Sequence, residues 1–191
     1  MKKIIIIGAS GSLAPYVIEA LKQLQNVEIT LFVRNKSRLS NSVAEGCTVI
    51  EGDAMNYNSV KNAITGHQIV YVNLAGNLET MTTNIVNAMD ETGIKRIIAI
   101  SSIGIYKTPL KSVLIPYRKL ADIIEASNLD YTILRPYWFT NDSEEDYALT
   151  QKGETETGTA ISRKSIAAFI STIIDKPELH IKENLGISKP N

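Results

Sequence analysis

The stretch IIIIGASGSLAPYVIEAL, residues 4–21, passes from four consecutive isoleucines through two glycines into a segment whose apolar residues recur at helical spacing. A short apolar run that ends in glycine is typical of a buried β-strand. Val17, Ile18 and Leu21 share one face of a helix, since residues three and four apart lie on the same side. The stretch therefore predicts a strand, a glycine turn and an amphipathic helix, in that order.

The same alternation continues along the chain. Further short apolar or β-branched runs are bounded by polar residues or glycine, and segments with helical spacing lie between them. The predicted strands are residues 3–7, 27–33, 47–51, 68–73, 95–100 and 130–135. Strands that alternate with helices pair in parallel and carry helices on both faces. We therefore predict an α/β fold with a doubly wound parallel sheet in three layers, α/β/α.

The alternation breaks after Arg135 and Pro136. Residues 137–191 contain an aromatic cluster, an acidic run from Glu144 to Asp146, a glycine-punctuated stretch and one more helical pattern. A segment of about 55 residues is too short for an independent core. We expect residues 1–191 to form a single domain in which 137–191 is a small C-terminal cap on the open edge of the sheet.

Composition narrows the classes of partner and compartment. Lysine and arginine together number 20, as do aspartate and glutamate, so the formal net charge is zero. Neither nucleic acid nor an anionic membrane surface is an expected partner of such a chain. No apolar run approaches the roughly 20 residues that span a bilayer. Cys47 is the only cysteine, which favours a cytoplasmic protein and a core position for that residue. The two histidines are far apart in the sequence, so a metal site is not expected.

The glycine turn is the first candidate binding site. Ligands of an open parallel sheet bind at the carboxyl ends of its strands, where the winding reverses. Gly8 allows a tight turn there, Gly11 lets backbone N–H groups approach a pyrophosphate, and the next helix directs its positive end towards that charge. The pattern is G-x-x-G-x-x-A, which a structural turn could imitate, but its place between strand and helix favours a dinucleotide. The expected contacts are Gly8, Ser10, Gly11, Ser12 and Leu13.

Arg34 follows the second strand, at the position where NAD-selective folds place an acid for the ribose 2′-hydroxyl. A guanidinium, with Lys36 and Arg38 close by in RNKSR, instead offers a planar fork and positive charge to a 2′-phosphate. NADP(H) is therefore favoured over NAD(H). The alternative is a solvated basic loop.

The next two strand ends carry further candidate cofactor contacts. Asp53, followed by Ala54, could accept a hydrogen bond from the adenine amino group, or it could cap the helix predicted at 56–65. NLAGN after the fourth strand places Leu74, Ala75 and Gly76 where the backbone must pass close to the cofactor. An ordinary loop glycine is the alternative for Gly76.

Six short motifs of the chain carry a family resemblance: GASGSLA, VRNKSR, GDA, NLAG, SSIGIY and LDYTILRP. Through them the chain resembles the atypical short-chain dehydrogenase/reductases, specifically the NmrA-like NAD(P)H-binding branch. The match runs from residue 3 to about 175, and NLDYTILRPYWFT with its spacing from SSIGIY is the most distinctive part. The resemblance implies a Rossmann-type fold that binds NADP(H). It also implies that Ser101, Ser102 and the turn at Arg135 and Pro136 face the nicotinamide.

One feature of that superfamily is missing. Its members usually carry Tyr-x-x-x-Lys on the helix after strand five, where the lysine lowers the pKa of a catalytic tyrosine. The corresponding positions here are Val113 and Tyr117, so both members are replaced. Lys119 points to another side of the helix, since it lies two residues from Tyr117. A literal Tyr-x-x-x-Lys at Tyr57 and Lys61 lies on the adenine side and is interpreted as coincidence.

The first functional hypothesis is an NADPH-dependent reductase of a small flat acceptor, of the quinone or flavin type. Hydride transfer between two positioned rings does not require the dyad. Ser102 and Tyr117 are the candidate catalytic residues, and Trp138 would flank the acceptor. The alternatives are that Ser101 and Ser102 satisfy loop backbone groups, and that the aromatic residues pack in the core.

The second hypothesis is a non-catalytic NADP(H) redox sensor that signals to a regulatory protein partner. The acidic run from Glu144 to Asp146 and the mobile-looking stretch 151–160 would form its switching surface. An exposed last helix, near 163–175, would also allow a homodimer. The sequence decides neither the acceptor nor the partner.

Overall fold

The computed structural model describes residues 1–190. Its strands are β1 (Lys2–Ile7), β2 (Val27–Val33), β3 (Thr48–Glu51), β4 (Ile69–Val72), β5 (Arg96–Ile100), β6 (Asp130–Pro136), β7 (Phe139–Thr140), β8 (Ala148–Thr150), β9 (Ile161–Ser162) and β10 (Glu183–Ser188). Its α-helices are α1 (Ala14–Lys22), α2 (Asn41–Ala44), α3 (Tyr57–Ile64), α4 (Leu78–Thr92), α5 (Ile115–Glu125) and α6 (Arg163–Asp175). Each helix within this range falls short of the length and hydropathy that crossing a bilayer requires.

The main sheet has the strand order β3-β2-β1-β4-β5-β6-β10-β8. Every neighbouring pair is parallel except β8, which runs antiparallel to β10. The chain moves outward from β1 to β3 and then returns to the other side of β1 at β4, so the winding reverses between β1 and β4. The predicted doubly wound sheet is confirmed, and the reversal creates a crevice at the carboxyl ends of these two strands.

The four isoleucines of β1 show why the sheet is buried on both faces. Ile4 and Ile6 pack with α1 and α6 on one face, while Ile5 and Ile7 pack with α3, α4 and α5 on the other. Successive side chains of a strand point to opposite faces. A strand covered by helices on both sides is therefore apolar at every position, which is the pattern that predicted it.

The C-terminal segment extends the sheet instead of only capping its edge. β10 pairs in parallel with β6, and β8 follows it at the edge. ENLGIS, the sequence of β10, was not predicted as a strand because asparagine and glycine interrupt its apolar run. β7 and β9 form a separate two-stranded sheet beside it.

The last helix, α6, is not exposed as expected. Ile166, Phe169, Ile170 and Ile173 on one side of it are buried and share a core with α1 and β1. The helix therefore supplies the layer that covers this face of the sheet. A homodimer built on its apolar side would need that core to open, so the expectation of a free helix face is wrong.

Cys47 lies at the margin of the same core. Its side chain is half-buried, packs against the α1-side cluster and has its Sγ 3.8 Å from the carbonyl oxygen of Val43. Burial raises the pKa of the thiol, which keeps it protonated and weakly nucleophilic. A packing role fits this environment, although the residue is less buried than predicted.

Candidate functional site

A cleft of about 1460 Å³ runs along the carboxyl edge of the sheet. The segments that follow β1 to β6 all contribute to its lining. Fourteen of the predicted site residues line it: Gly8, Ser10, Gly11, Ser12, Arg34, Asp53, Ala54, Leu74, Ala75, Gly76, Ser101, Ser102, Tyr117 and Pro136. They meet there because parallel strands end at one edge of a sheet, whatever their distance along the chain.

The glycine turn packs directly on the end of β4. Gly8 has a φ of +91°, and a Cβ at this position would lie 2.1 Å from the carbonyl oxygen of Asn73. A Cβ on Gly11 would lie 2.9 Å from Nδ2 of Asn73. Gly11 is thus small because it meets the side chain that follows β4, a reason that the sequence did not reveal. The two glycines keep the turn flat against the floor of the cleft.

The turn also leaves backbone donors available at the start of α1. Within residues 1–190, the N–H groups of Ser10, Ser12 and Leu13 donate to no protein acceptor. Leu13 at the N-cap makes no side-chain capping bond, and the first turn of α1 has no acidic residue. Unpaired N–H groups at a helix N-terminus bind phosphate well. These residues therefore fit a dinucleotide pyrophosphate.

Leu13 itself does not line the cleft. Its side chain is only 1% exposed and packs in the core under α1. Leu13 could therefore contact a cofactor through its main chain, but not through its side chain. The apolar side chain is needed below the turn, where it anchors the start of the helix.

The basic residues after β2 are divided between the cleft and the surface. Arg34 and Arg38 are exposed and both line the cleft. Lys36 does not line it, and its backbone N–H donates to Oε2 of Glu51 at 2.9 Å. Two guanidinium groups therefore border the end of the cleft that is nearest β2 and β3.

Asp53 is not the helix cap that the sequence allowed. Asn56 caps α3, and its side chain accepts from the N–H of Ser59 at 2.9 Å. Asp53 Oδ1 accepts from the N–H of Met55 at 2.9 Å, which fixes the loop, while the exposed carboxylate remains on the cleft. Ala54 is buried beside it, and its carbonyl oxygen accepts from Asn84 Nδ2 at 2.9 Å.

The two serines after β5 are held by local hydrogen bonds. Ser101 is buried, and its Oγ donates to the carbonyl oxygen of Tyr117 at 3.0 Å. Ser102 Oγ lies 3.2 Å from the carbonyl oxygen of Ile103. These bonds favour the backbone-satisfying interpretation of Ser101. The histidines, His67 and His180, precede β4 and β10 and therefore lie at the opposite edge of the sheet, so neither can act as a base for Ser102.

The positions that correspond to the dyad lie in the cleft, but their chemistry differs. Val113 and Tyr117 both line it. Lys119 does not line it and instead pairs with Glu79 at 3.4 Å. Lys61, from the literal Tyr-x-x-x-Lys on α3, pairs with Glu91 at 2.5 Å outside the cleft. At the two positions of the usual dyad, the cleft therefore presents valine and tyrosine in place of tyrosine and lysine.

The aromatic residues after β6 have different environments. Trp138 is 82% exposed and lines the cleft, so its interpretation as a core residue is wrong. Phe139 is half-buried against the α1-side core, with the guanidinium of Arg163 5.1 Å from its ring centroid. An indole left in solvent at the lip of a cleft offers a flat apolar surface to a ligand.

The loop after β5 contributes lining residues that sequence reasoning missed. Ile103, Gly104, Lys107, Thr108, Pro109 and Lys111 all border the cleft. The length of this loop could have indicated its role. Residues 101–111 separate β5 from the next helical turn, whereas such connections usually have about 2–6 residues. Long loops at the carboxyl edge of a parallel sheet commonly carry binding groups.

The stretch 151–160 is tied down at its centre. Glu156 forms an ion pair with Arg135, and the two side chains are only 9% and 2% exposed. Its other carboxylate oxygen accepts from the N–H of Gly104 at 3.2 Å. The carbonyl oxygen of Glu156 accepts from Tyr137 at 3.3 Å. The segment is therefore anchored both to β6 and to the loop after β5, contrary to its mobile appearance in sequence.

Comparisons with known sequences agree with this geometry. Residues 8–177 match the model of a family described as NAD(P)H-binding. Quinone oxidoreductase 2 of Escherichia coli (strain K12) is 27% identical over 162 residues, with 83% of this chain and 55% of that protein covered. The chain spans about half the length of the curated relatives it matches.

Solved structures match over the full length of the chain. A Rossmann-fold NAD(P)-binding family protein from Shigella flexneri is 43% identical, with a TM-score of 0.91, and covers 100% of this chain and 95% of its own. A short-chain dehydrogenase/reductase from Veillonella parvula DSM 2008, in complex with NADP, is 28% identical with a TM-score of 0.89 and the same two coverages. The resemblance to atypical short-chain dehydrogenase/reductases is confirmed.

Proposed function

Because the chain belongs to the NAD(P)H-binding family of Rossmann-fold oxidoreductases, we propose that it is an NADPH-dependent reductase whose second substrate is a small flat acceptor of the quinone or flavin type. The observation that carries the proposal is the single cleft that joins the glycine turn to the exposed Trp138. Its volume of about 1460 Å³ exceeds the roughly 300–1,000 Å³ that is usual for one small ligand. The cleft therefore has room for a dinucleotide and a second ring.

The cofactor end fits NADPH in particular. Arg34 and Arg38 line it, and Asp53 is the single carboxylate that borders the cleft among residues 1–190. A 2′-phosphate would meet two guanidinium groups, whereas the acid that usually binds a free 2′-hydroxyl is absent at the end of β2. This charge distribution supports a preference for NADP(H).

The acceptor end fits chemistry that needs no Tyr-x-x-x-Lys dyad. When bound, NADPH supplies a hydride to an oxidised ring, and solvent supplies the proton that completes the reduction. The task of the chain is then to hold two flat rings in contact and to limit the water around them. Tyr117 and Val113 would form one wall for this purpose, and Trp138 would form the other.

The test is NADPH consumption by the purified full chain with a panel of quinones and free flavin. Each rate is compared with the protein-free rate and with the same reaction supplied with NADH. We expect saturable turnover that is faster with NADPH. In parallel, titrations with NADPH and NADP⁺ measure binding alone.

Two outcomes separate the reductase from the redox-sensor hypothesis. Turnover that saturates with the acceptor supports the reductase. Tight binding of NADPH without turnover of any acceptor would overturn it and leave the sensor as the better explanation. The sensor also requires the stretch 151–160 to change with redox state, although the buried pair of Arg135 and Glu156 holds it in place.

A further inference from the structure

The end of the cleft that follows β5 carries positive charge that is not neutralised by an ion pair within residues 1–190. Lys107 and Lys111 both line the cleft and are exposed. Neither takes part in an ion pair within the described chain. Asp53, the one carboxylate bordering the cleft in this range, lies after β3 at the opposite end.

The strand order separates these lysines from the phosphate groups of a dinucleotide. Arg34 follows β2, and the loop with the lysines follows β5, three strand positions further along the sheet. Neighbouring strands are about 4.8 Å apart, so the two strand ends are about 14 Å apart. A 2′-phosphate is matched by Arg34 and Arg38, and a pyrophosphate by the turn after β1. The second positive end is therefore left for a different anion.

Two exposed apolar side chains line the same cleft, one two residues after Lys111 and one after β6, the strand next to β5. Trp138 is 82% exposed and Val113 is 69% exposed, and both line the same cleft as the lysines. Large apolar side chains grouped at the mouth of a cleft commonly mark a ligand surface. An indole face favours a flat conjugated ring.

We propose that the acceptor of this reductase is a flat ring system bearing a carboxylate or phosphate group. The ring lies against Trp138, and Lys107 and Lys111 bind the anion. The inference rests on the proposed function and names the chemical class of its second substrate. A lysine ammonium acts as a compact point charge that does not distinguish the shapes of carboxylate and phosphate, so both belong to the class.

The test compares riboflavin with flavin mononucleotide, which share one ring and differ by a phosphate. We expect the kcat/KM for flavin mononucleotide to exceed that for riboflavin by about tenfold at low ionic strength, as a charge-assisted contact would give, and the difference to shrink with added salt. In the double variant K107M/K111M this preference should disappear. A naphthoquinone and its carboxylate provide the corresponding pair for a carboxylate.

A matched control keeps the change in net charge constant. Lys164 and Lys176 are exposed, lie outside the cleft and form no ion pair within residues 1–190. The variant K164M/K176M should keep the preference for the phosphorylated flavin. The KM for NADPH should stay unchanged in both double variants, because Lys107 and Lys111 are assigned to the acceptor and Lys164 and Lys176 lie outside the cleft.

Several results would overturn the proposal while leaving the reductase intact. These are equal use of the two flavins, a preference that survives K107M/K111M, or a rise in the KM for NADPH instead of that for the acceptor. If no acceptor is turned over, the proposed function fails. The anion site is then tested separately, by fluorescence titration of riboflavin and of flavin mononucleotide into the protein saturated with NADP⁺. Tighter binding of flavin mononucleotide that K107M/K111M abolishes would support it, and equal binding would overturn it.

Discussion

At the scale of single residues, Gly8 combines two constraints that usually occur apart. Its φ of +91° disfavours any side chain, and the carbonyl oxygen of Asn73 occupies the space that a Cβ would need. Gly46 has a similar φ of +72° with open space around it. Comparing substitutions at Gly8 and Gly46 therefore distinguishes the energetic cost of the backbone conformation from the cost of a clash with the residue after β4.

We expect Gly8→Ala to destabilise the protein clearly more than Gly46→Ala. The control should cost about 1–2 kcal/mol, the usual penalty for a left-handed conformation. Gly8→Ala adds a clash that only a shift of the turn or of the β4 end can relieve, so NADPH binding should fall as well. Urea unfolding and a binding titration measure the two effects. Equal losses of stability would show that the packing of the turn on Asn73 is unimportant.

Arg34 carries the prediction on cofactor choice. Arg34→Asp should weaken NADPH binding by about ten- to a hundredfold, the amount expected for lost charge-assisted hydrogen bonds, and should change NADH binding much less. Lys36→Asp makes the same change of charge in the same loop, outside the cleft. Dissociation constants for both cofactors test this. Equal losses for NADPH and NADH in Arg34→Asp would exclude Arg34 as the reader of the 2′-phosphate.

At the scale of secondary-structure elements, the pair of Arg135 and Glu156 joins β6, the segment before β9 and the loop after β5. Arg135 is also near the ring of Tyr106, with its guanidinium carbon 5.3 Å from the ring centroid. Because both side chains of the pair are almost fully buried, removing one charge leaves the other without compensation. The architecture of this side of the cleft therefore depends on one carboxylate.

Glu156→Gln should lower the free energy of unfolding by about 3 kcal/mol, the range found when one partner of a buried pair is lost. Glu154→Gln is the control, since Glu154 is exposed and accepts only from the N–H of Gln151, at 2.8 Å, in its own turn. Its effect should stay within about 0.5 kcal/mol. Urea unfolding measures both, and limited proteolysis should cut 151–160 faster in Glu156→Gln alone. Equal stability of the two variants would contradict this role.

At the scale of the whole molecule, His67 couples stability to pH. Its ring lies between α3 and β2, with Nδ1 3.1 Å from the carbonyl oxygen of Ile64 and Nε2 2.9 Å from Oγ1 of Thr30. Burial lowers the pKa of His67 below its ordinary value of 6.5. The unfolded chain therefore binds a proton more readily than the folded one, so folding is favoured at higher pH.

Stability should consequently fall as the pH drops below about 6.5, and the contribution of His67 should level off once the pH is below its folded-state pKa. His67→Gln should remove this component and leave the part that comes from carboxylates. The measurement is the free energy of unfolding of both proteins at a series of pH values. An identical pH dependence in the variant would show that His67 does not contribute.

The strands from β1 to β6 and the positions at their carboxyl ends followed from local pattern. A parallel strand covered on both faces must be apolar throughout, and helices between strands force parallel pairing. That topology brings Gly8, Arg34, Asp53 and Ser101 to one edge, so fourteen of the residues that line the cleft were predictable. Their roles in binding remain predictions.

What the sequence by itself determined, therefore, is the doubly wound sheet and the glycine turn between β1 and α1, because both depend on short-range periodicity or spacing. The replaced dyad followed from the family resemblance. Tertiary structure alone decided that α6 is buried, that β10 extends the sheet, that Leu13 points into the core and that Trp138 stays in solvent. It also brought Arg135 to Glu156 and placed Lys107 and Lys111 on the cleft. These outcomes depend on which distant segments meet, and no local pattern specifies the partner of a side chain across the fold.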